Sequence, residues 1–319
     1  MAKEKTSAEE RLENEGGPPS TLKGDVRIET MTEEVLLENT EGLYLLESHD
    51  LKLVRKKMGL KRPLFVANYV TDEDGVIADG KKGGPPKKIK TDEDWGRFQE
   101  LQAQAGIIIT GADYLNRFAK DGEKAQHILS QFDKGAKYEH LGDWRLAHGY
   151  KRRNPDVAVV SRSLDFDFPA SLLDDGRKLF VFTTYEMATS EKTEVFRKKG
   201  ANVVGAGEKG VDGQLLSDTL TEEGYEVAKM TTGPRVLDIL TKAGILDRLY
   251  TTRVQTKISG DATKFIKIPI NKDTGNETVL DGVRFKIMIP VYRQDNVTAK
   301  DGSIVSQKFI VYERQDNNG

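Results

Sequence analysis

The stretch from Tyr225 to Thr252 constrains the fold of this chain more than any other. Its turn, Thr231-Thr232-Gly233-Pro234, combines hydroxyls suited to an N-cap, a glycine that permits close backbone approach, and a proline suited to a first helical turn. Apolar residues then recur at helical spacing up to Gly244, where a C-terminal cap belongs, and an extended run follows. The stretch therefore predicts a strand, a tight turn, a helix and a second strand.

The N-terminus of that helix is a candidate anion site. Backbone N–H groups and the positive end of the helix dipole meet there, which suits the phosphate of a nucleotide cofactor. The alternative is an ordinary capped helix that packs on a sheet. Taken alone, the turn favours this alternative, because Gly-Pro at a helix start is common.

Composition excludes several classes of protein. The 319 residues fit either two domains or one elaborated α/β domain with tails, and the net charge of −2 argues against a nucleic-acid partner. No apolar run approaches the roughly 20 residues that a bilayer needs, and residues 1–10 lack a signal-peptide core, so we expect a soluble, cytoplasmic protein without a membrane partner. The chain has no cysteine and its four histidines lack ligand spacing, so we expect no metal site.

The N-terminal part of the chain differs from the rest. Residues 1–24 are polar and contain Gly16-Gly17-Pro18-Pro19, which predicts a disordered tail. Residues 25–60 form an acidic arm, since the first 50 residues contain 13 acidic and 5 basic ones. That arm is either exposed to solvent or faces a partner. A helix or hairpin docked on the main domain is an alternative for the same residues. Residues 61–319 are expected to form the main domain.

Buried strands alternate with helices through most of the main domain. This alternation predicts a mostly parallel, twisted sheet flanked by helices, and the pattern becomes antiparallel from Phe265 onward. The basic loop 81–88 either covers an anionic ligand or is an exposed hairpin. The predicted strands are 62–70, 106–112, 155–162, 178–184, 201–205, 265–270, 283–291 and 307–312. The predicted helices are 92–105 and 190–199, with 113–153 largely helical.

Small and hydroxyl residues end four of these strands. They are Thr110-Gly111-Ala112, Ser161-Arg162, Thr183-Thr184 and Thr231-Thr232-Gly233. In an open α/β sheet, ligands bind outside the carboxyl ends of the strands. Their convergence therefore predicts a nucleotide or dinucleotide site, although the GxGxxG fingerprint of a plain Rossmann dehydrogenase is absent.

Several segments between Arg62 and Tyr312 resemble a known family. Residues 71–75 occupy its A-S-x-D-G turn, residues 101–111 resemble its L-R-A-x-A-D-A-I-L-x-G helix and strand, and residues 157–162 resemble its next strand. The most specific likeness is the ungapped block 231–249, which is similar to E-G-G-P/A-x-L…A-G-L-V-D-E-L. The family is the dihydrofolate-reductase-like one that includes the C-terminal reductase domain of the riboflavin-biosynthesis deaminase/reductase and its pyrimidine reductase relatives.

The resemblance implies NADPH as cofactor. Thr110 to Ala112 would line the nicotinamide side, Ser161 and Arg162 the adenosine ribose and 2′-phosphate, and Gly233 to Leu237 the pyrophosphate. An arginine at the 2′-phosphate would favour NADPH over NADH. The implied cofactor-binding residues are Thr71, Thr110, Gly111, Ala112, Ser161, Arg162, Thr183, Thr232, Gly233, Pro234, Arg235, Val236 and Leu237. The implied substrate-binding residues are Asn68, Asp72 and Thr231.

The chain also departs from the family pattern. Thr231 stands where the family has a glutamate and Asp72 where it has a serine, and further departures fall at Gln102, Gly106 and Tyr114. Asp72 and Asp74 are the candidate catalytic residues, because either could relay a proton if burial raised its pKa. The alternative, which Asp74-Gly75 favours, is a plain tight turn.

Two hypotheses follow. The first is an NADPH-dependent reductase that transfers a hydride to a small heterocyclic substrate of the pyrimidine or pterin type. The rival is a non-catalytic nucleotide-binding or scaffold protein of the same fold. Only the reductase must consume NADPH.

We predict a homodimer, because an antiparallel end offers strand edges that a second copy can cover. Light scattering should give twice the chain mass of 35.6 kDa. A particle with the mass of one chain would contradict this prediction.

Overall fold

The computed structural model describes residues 26–29, 34–36, 50–78, 85–121, 129–231, 233–260, 266–267 and 277–315. The predicted disordered tail, residues 81–84 of the basic loop and Thr232 lie outside the described residues. No helix of the described part is long and apolar enough to cross a membrane.

Twelve of the described strands form one sheet, and two short strands form another. The large sheet has the order β2-β1-β13-β14-β10-β3-β9-β5-β6-β7-β8, and β12 pairs with β13. The strands are β1 Val26–Glu29, β2 Glu34–Leu36, β3 Leu64–Thr71, β4 Val76–Ala78, β5 Ile107–Gly111, β6 Asp156–Val160, β7 Leu179–Thr183, β8 Asn202–Gly205, β9 Val227–Met230, β10 Leu246–Val254, β11 Ile266–Lys267, β12 Glu277–Leu280, β13 Val283–Thr298 and β14 Ile304–Arg314.

Helices connect the strands. They are α1 Leu51–Lys57, α2 Asp92–Ala103, α3 Ala112–Asp121, α4 Glu139–Ala147, α5 Tyr185–Ala188, α6 Lys192–Lys198, α7 Gly213–Glu222 and α8 Pro234–Lys242. Within the described residues, two 3-10 segments lie at Lys87–Ile89 and Ala170–Gly176.

The sheet has a parallel half and an antiparallel half. Strands β10, β3, β9, β5, β6, β7 and β8 pair in parallel, whereas β14, β13, β12, β1 and β2 add antiparallel pairs. The predicted mostly parallel sheet with antiparallel C-terminal strands is confirmed. Parallel strands are covered on both faces, which explains why Ile107, Ile108 and Ile109 are all fully buried.

The two faces of the parallel half pack against different helices. Successive residues of a strand point to opposite faces. Phe65 and Ala67 of β3 therefore join the cluster that contains Leu237 and Leu240 of α8. The other face, defined here as the α2 face, carries Leu64 and Val66, which pack with Leu101 of α2.

The predicted strand, turn, helix and strand at 225–252 are confirmed as β9, α8 and β10, with β3 between the two strands. Pro234 begins α8, and Gly244 follows it with φ +63°, in the left-handed region that favours glycine. The predicted hydroxyl N-cap is wrong for Thr231. Its Oγ1 lies 3.4 Å from the carbonyl oxygen of Ile109, and Gly233 is the N-cap without a side-chain hydrogen bond.

Other predictions need correction. Residues 129–138 are mostly turns, so α3 and α4 are the only helices among the described residues of the predicted helical stretch 113–153. Within the predicted strand 265–270, β11 pairs with β4 rather than with the C-terminal strands. β12 was not predicted, although Asp281-Gly282 between apolar runs is a hairpin signal.

The docked hairpin, which was one alternative for the acidic arm, is confirmed, since β1 and β2 pair with each other and β1 pairs with β13.

The carboxylate of Asp247 ties the amino ends of the central strands together. It is fully buried and accepts hydrogen bonds from Arg62 Nη1 and Nη2 at 2.7 and 2.8 Å and from the backbone N–H of Phe65 at 2.9 Å. Arg314 Nη2 of β14 lies 3.4 Å from the same carboxylate. One side chain thus links β3, β10 and β14.

Asp247→Asn should lower the free energy of unfolding by about 3 kcal/mol, because it leaves two guanidinium groups facing a neutral amide. Urea denaturation measures this change. The matched control is Asp218→Asn on the exposed side of α7, which should change the value by no more than about 0.5 kcal/mol. Equal effects of the two variants would contradict the role given to Asp247.

Candidate functional site

The carboxyl ends of five adjacent parallel strands form one edge of the sheet. These strands are β3, β9, β5, β6 and β7. The predicted residues Thr71, Thr231, Thr110, Ser161 and Thr183 lie at or directly after these ends. The structure therefore brings together the positions that sequence analysis assigned to a nucleotide.

The N-terminus of α8 faces this edge without a side-chain cap. Gly233 is exposed, with φ +51° and ψ 148°, and a Cβ there would meet no atom within 4 Å. The first N–H groups of a helix have no intrahelical acceptor, so they are available to an anion. Of the side chains in this turn, Val236 and Leu237 are buried in the core, so only their backbone can meet a ligand. Arg235 is 90% exposed at its side chain and lies 3.6 Å from Asp113 of α3.

The part of the edge where β5 ends and α3 begins lies close to α8. Gly111 is half-buried at the end of β5, and a Cβ there would meet Val236 at 3.8 Å, an ordinary contact. Ala112 then begins α3. A small side chain would therefore fit at position 111. Gly111 is part of the edge because it lies at the end of β5, not because it lacks a side chain.

The hydroxyl groups of the edge have different partners. Thr71 Oγ1 donates to the carbonyl oxygen of Asp72 at 2.9 Å, and Ser161 Oγ accepts from the N–H of Leu164 at 3.1 Å. Thr183 is fully buried, and its Oγ1 has no hydrogen-bond partner among the described residues. Arg162 is exposed directly after β6. Thr183 and Arg162 thus have unused donor capacity, whereas Thr71 and Ser161 stabilise local turns.

Asp72 anchors the turn after β3. Its Oδ1 accepts from the N–H groups of Asp74 at 2.9 Å and Val76 at 2.8 Å, and its Oδ2 accepts from the N–H of Ile258 at 3.0 Å. Both oxygens of this buried carboxylate are occupied, which gives Asp72 a structural role. Asp74 lies 3.6 Å from Lys257 Nζ. The proton-relay roles of Asp72 and Asp74 stay predictions.

Asn68 and Tyr69 line opposite faces of β3 near this edge. Asn68 is half-buried, and its Nδ2 lies 3.5 Å from the carbonyl oxygen of Tyr250. The Tyr69 hydroxyl lies 3.5 Å from the carbonyl oxygen of Gly233. Burial, together with the negative charge of Asp238, raises the pKa of Tyr69 well above its ordinary value, so the phenol is neutral and remains a donor.

Sequence analysis missed a buried polar cluster beneath α2. Asp94 and Arg97 of α2 and Lys229 of β9 are each at least nine-tenths buried. Burial raises the pKa of Asp94 to about 6, against opposing effects of a hydrogen bond from Thr252 and the charges of Arg97 and Lys229. Burial lowers the pKa of Arg97 to about 10 and that of Lys229 well below its ordinary value. The available signal was a lysine inside the apolar strand Val227-Ala228-Lys229-Met230.

Comparisons with known proteins agree with this fold. Residues 63–267 match the family described as the RibD C-terminal domain. A pyrimidine reductase-like protein from Corynebacterium diphtheriae superposes with a TM-score of 0.53 at 18% identity, covering 80% of this chain and 93% of that one. RibD from Acinetobacter baumannii gives a TM-score of 0.51 at 13% identity, covering 82% of this chain and 60% of that one. No curated protein matches the sequence. The predicted fold class is confirmed as dihydrofolate-reductase-like.

The titration of Asp94 should make stability depend on pH. Because its pKa is raised from 3.8 to about 6 on folding, the native state binds the proton more strongly than the unfolded chain. The contribution of Asp94 to the free energy of unfolding is therefore fully present below about pH 4 and is lost as pH rises through 6. A pKa difference of about two units between the folded and unfolded states corresponds to a loss of about 3 kcal/mol. The charged groups that face Asp94 are Glu93, Arg97 and Lys229.

Urea denaturation of Asp94→Asn between pH 4 and 7 measures this contribution as a difference from the wild type, in which the other groups largely cancel. We expect Asp94→Asn to gain relative stability as pH rises. Asp218→Asn is the control and should show no such trend. Parallel curves for Asp94→Asn and the wild type would contradict the prediction.

Proposed function

This chain belongs to the RibD C-terminal domain family, and we propose that it is an NADPH-dependent reductase that transfers a hydride to a small heterocyclic substrate. The proposed substrates are pyrimidine-like or pterin-like, including ribosylamino forms. The observation that supports the proposal is the convergence, on one edge, of five parallel strand ends with the uncapped N-terminus of α8. We further propose a cytoplasmic homodimer.

The residues at this edge fit a dinucleotide phosphate. Gly233 is exposed with open space above it, so a pyrophosphate can approach the first N–H groups of α8 without a steric clash. At the far end, the exposed Arg162 can donate two parallel hydrogen bonds to a 2′-phosphate. Thr183 lies at the end of the next strand, but its hydroxyl is fully buried, so its position rather than its side chain belongs to this half of the site.

When bound, NADPH supplies the hydride, so the chain has to position the two reacting carbons rather than perform difficult chemistry. Thr110, Gly111 and Ala112 lie between the α8 turn and β6 and are the positions for the reacting end of the cofactor. Asn68 on the neighbouring α2 face offers an amide to the substrate. The fully buried strands behind these residues exclude water and fix their spacing.

Two features are compatible with the rival function, a nucleotide-binding or scaffold protein without catalysis. Asp72 is fully engaged by three backbone N–H groups, and Thr231 carries a hydroxyl where the family has a carboxylate. A nucleotide-binding protein without turnover would tolerate both features. The two functions differ in whether NADPH is consumed, which loss of its absorbance measures directly with a panel of pyrimidine and pterin acceptors.

The proposed function predicts NADPH-selective binding that depends on Arg162. Titration of the protein with NADPH and, separately, NADH, followed through Trp95 and Trp144 fluorescence, should show tighter binding of NADPH. Arg162→Ala should weaken NADPH binding about tenfold and leave NADH binding unchanged, because only NADPH carries the 2′-phosphate.

The control is Arg284→Ala, an exposed arginine on the antiparallel half of the sheet. It should leave both affinities unchanged. The absence of binding of either nucleotide would overturn the proposed cofactor, and equal losses for NADPH and NADH in Arg162→Ala would overturn the role of Arg162.

A further inference from the structure

Residues 161–168, called here the β6 loop, follow β6 at the carboxyl edge and lie against α6. The ring centroid of Phe196 in α6 lies 4.8 Å from that of Phe166 and 6.1 Å from that of Phe168. Leu164 packs in the same cluster and is 4% exposed. The apolar side chains of the loop are therefore fixed on α6, and its charged side chains are exposed.

The first turn of the β6 loop is strained and held in place. Leu164 has φ +56°, in the left-handed region that a leucine rarely adopts. Ser161 Oγ accepts a hydrogen bond from the N–H of Leu164 at 3.1 Å, and burial of the leucine side chain opposes the strain. Strained residues persist where their surroundings hold them in this way. The turn therefore presents the exposed Arg162 at a fixed position on the edge.

Lys192 of α6 contacts the β6 loop at two points. Its Nζ donates to Asp165 Oδ1 at 2.6 Å and to the carbonyl oxygen of Ser163 at 3.2 Å. The hydrogen bonds from Lys192 and from the Ser163 hydroxyl hold the pKa of Asp165 below its ordinary value, so this carboxylate is ionised. Asn116 Nδ2 donates to the carbonyl oxygen of Asp165 at 3.0 Å. Asp165 is thus a fixed negative charge three residues after Arg162, and Lys192 neutralises it.

A negative charge at this position bears on the difference between the two nicotinamide nucleotides. NADPH carries a phosphate on the 2′ oxygen of its adenosine ribose, whereas NADH has a hydroxyl there. A carboxylate without a cation would repel the phosphate and compete with it for the guanidinium of Arg162. The same carboxylate would accept a hydrogen bond from the 2′-hydroxyl of NADH. Whether Asp165 is paired with a cation therefore affects the two nucleotides differently.

We infer that Lys192, by pairing with Asp165, determines the preference of this chain for NADPH over NADH. Lys192 is a positioning residue, because it acts through Asp165 and leaves Arg162 available to the 2′-phosphate. The inference rests on the proposed function for the location of that phosphate. It adds to the proposed function the ion pair that controls selectivity.

The test uses Lys192→Met, which leaves Asp165 without its cation and keeps Arg162. Titration with NADPH and, separately, NADH, followed through Trp95 and Trp144 fluorescence, measures both affinities. NADPH binding should weaken about tenfold, because the phosphate now meets an unpaired carboxylate. NADH binding should stay within about twofold of the wild-type value or become tighter.

A second substitution distinguishes neutralisation of Asp165 from direct contact with the phosphate. In the double variant Lys192→Met with Asp165→Asn, the repelling carboxylate is also absent. Its NADPH affinity should return to within about threefold of the wild-type value. A lysine that held the phosphate itself would not be replaced by Asp165→Asn. A double variant that binds NADPH as weakly as Lys192→Met therefore overturns the inference.

Lys199→Met is the matched control. Lys199 lies seven residues after Lys192, on the same side of α6, and pairs with Asp167 of the same loop. This variant removes an exposed ion pair of the same kind and leaves Asp165 paired. Each lysine variant should lower the melting temperature by no more than about 2 °C, and only Lys192→Met should change the ratio of the two affinities. Equal losses of selectivity would indicate a general loosening of the loop and would overturn the inference.

The remaining outcomes separate the inference from the proposed function. Selective NADPH binding by the wild type, with unchanged selectivity in Lys192→Met, overturns the inference and leaves the proposed reductase intact. A wild-type protein that binds neither nucleotide overturns the proposed cofactor and the inference together. Loss of the NADPH preference in Lys192→Met, with rescue by Asp165→Asn, supports both.

Discussion

The parallel pairing of β3 with β9 on one side and β10 on the other is the constraint on which the rest of the structure depends. Parallel pairing aligns the carboxyl ends of strands, so every loop that leaves β3, β9 and β5 begins at the same edge. The pairing also buries both faces of these strands, which explains their continuous apolar runs. Asp247 stabilises the opposite end of these strands through a buried network, and the carboxyl edge carries the candidate site.

The distribution of hydrogen-bond partners separates two groups of buried charged residues. Asp247 and Asp72 have their oxygens occupied by N–H donors, so each stabilises the backbone that surrounds it. Asp94 and Lys229 are also buried, but Asp94 Oδ1 and Lys229 Nζ have no hydrogen-bond partner among the described residues, which lowers the free energy of unfolding.

Much of the fold could be predicted from local patterns. The apolar runs at Ile107–Gly111 and Leu179–Thr183 and the punctuation at Gly233-Pro234 and Gly244 are local signals, and each element formed where they predicted it. The errors lie where long-range packing decides. β11 pairs with β4, which is distant in sequence, and Thr231 contacts Ile109 of a neighbouring strand instead of capping α8. No local propensity contains those contacts.

For the site, the sequence alone determined which residues follow the strand ends, because alternation of strands and helices requires parallel pairing and so places those residues on one edge. Only the tertiary structure decided what each side chain does there. Asp72 is a candidate proton relay by type, and that role stays a prediction; the fold adds three N–H groups from two separate segments that give it a structural role. Lys229 is one residue of an apolar strand by sequence, and only its burial beneath α2 lowers its pKa well below the ordinary value. Burial and partners depend on elements that meet only in the folded chain, and the protonation and hydrogen bonding of a side chain respond to those surroundings.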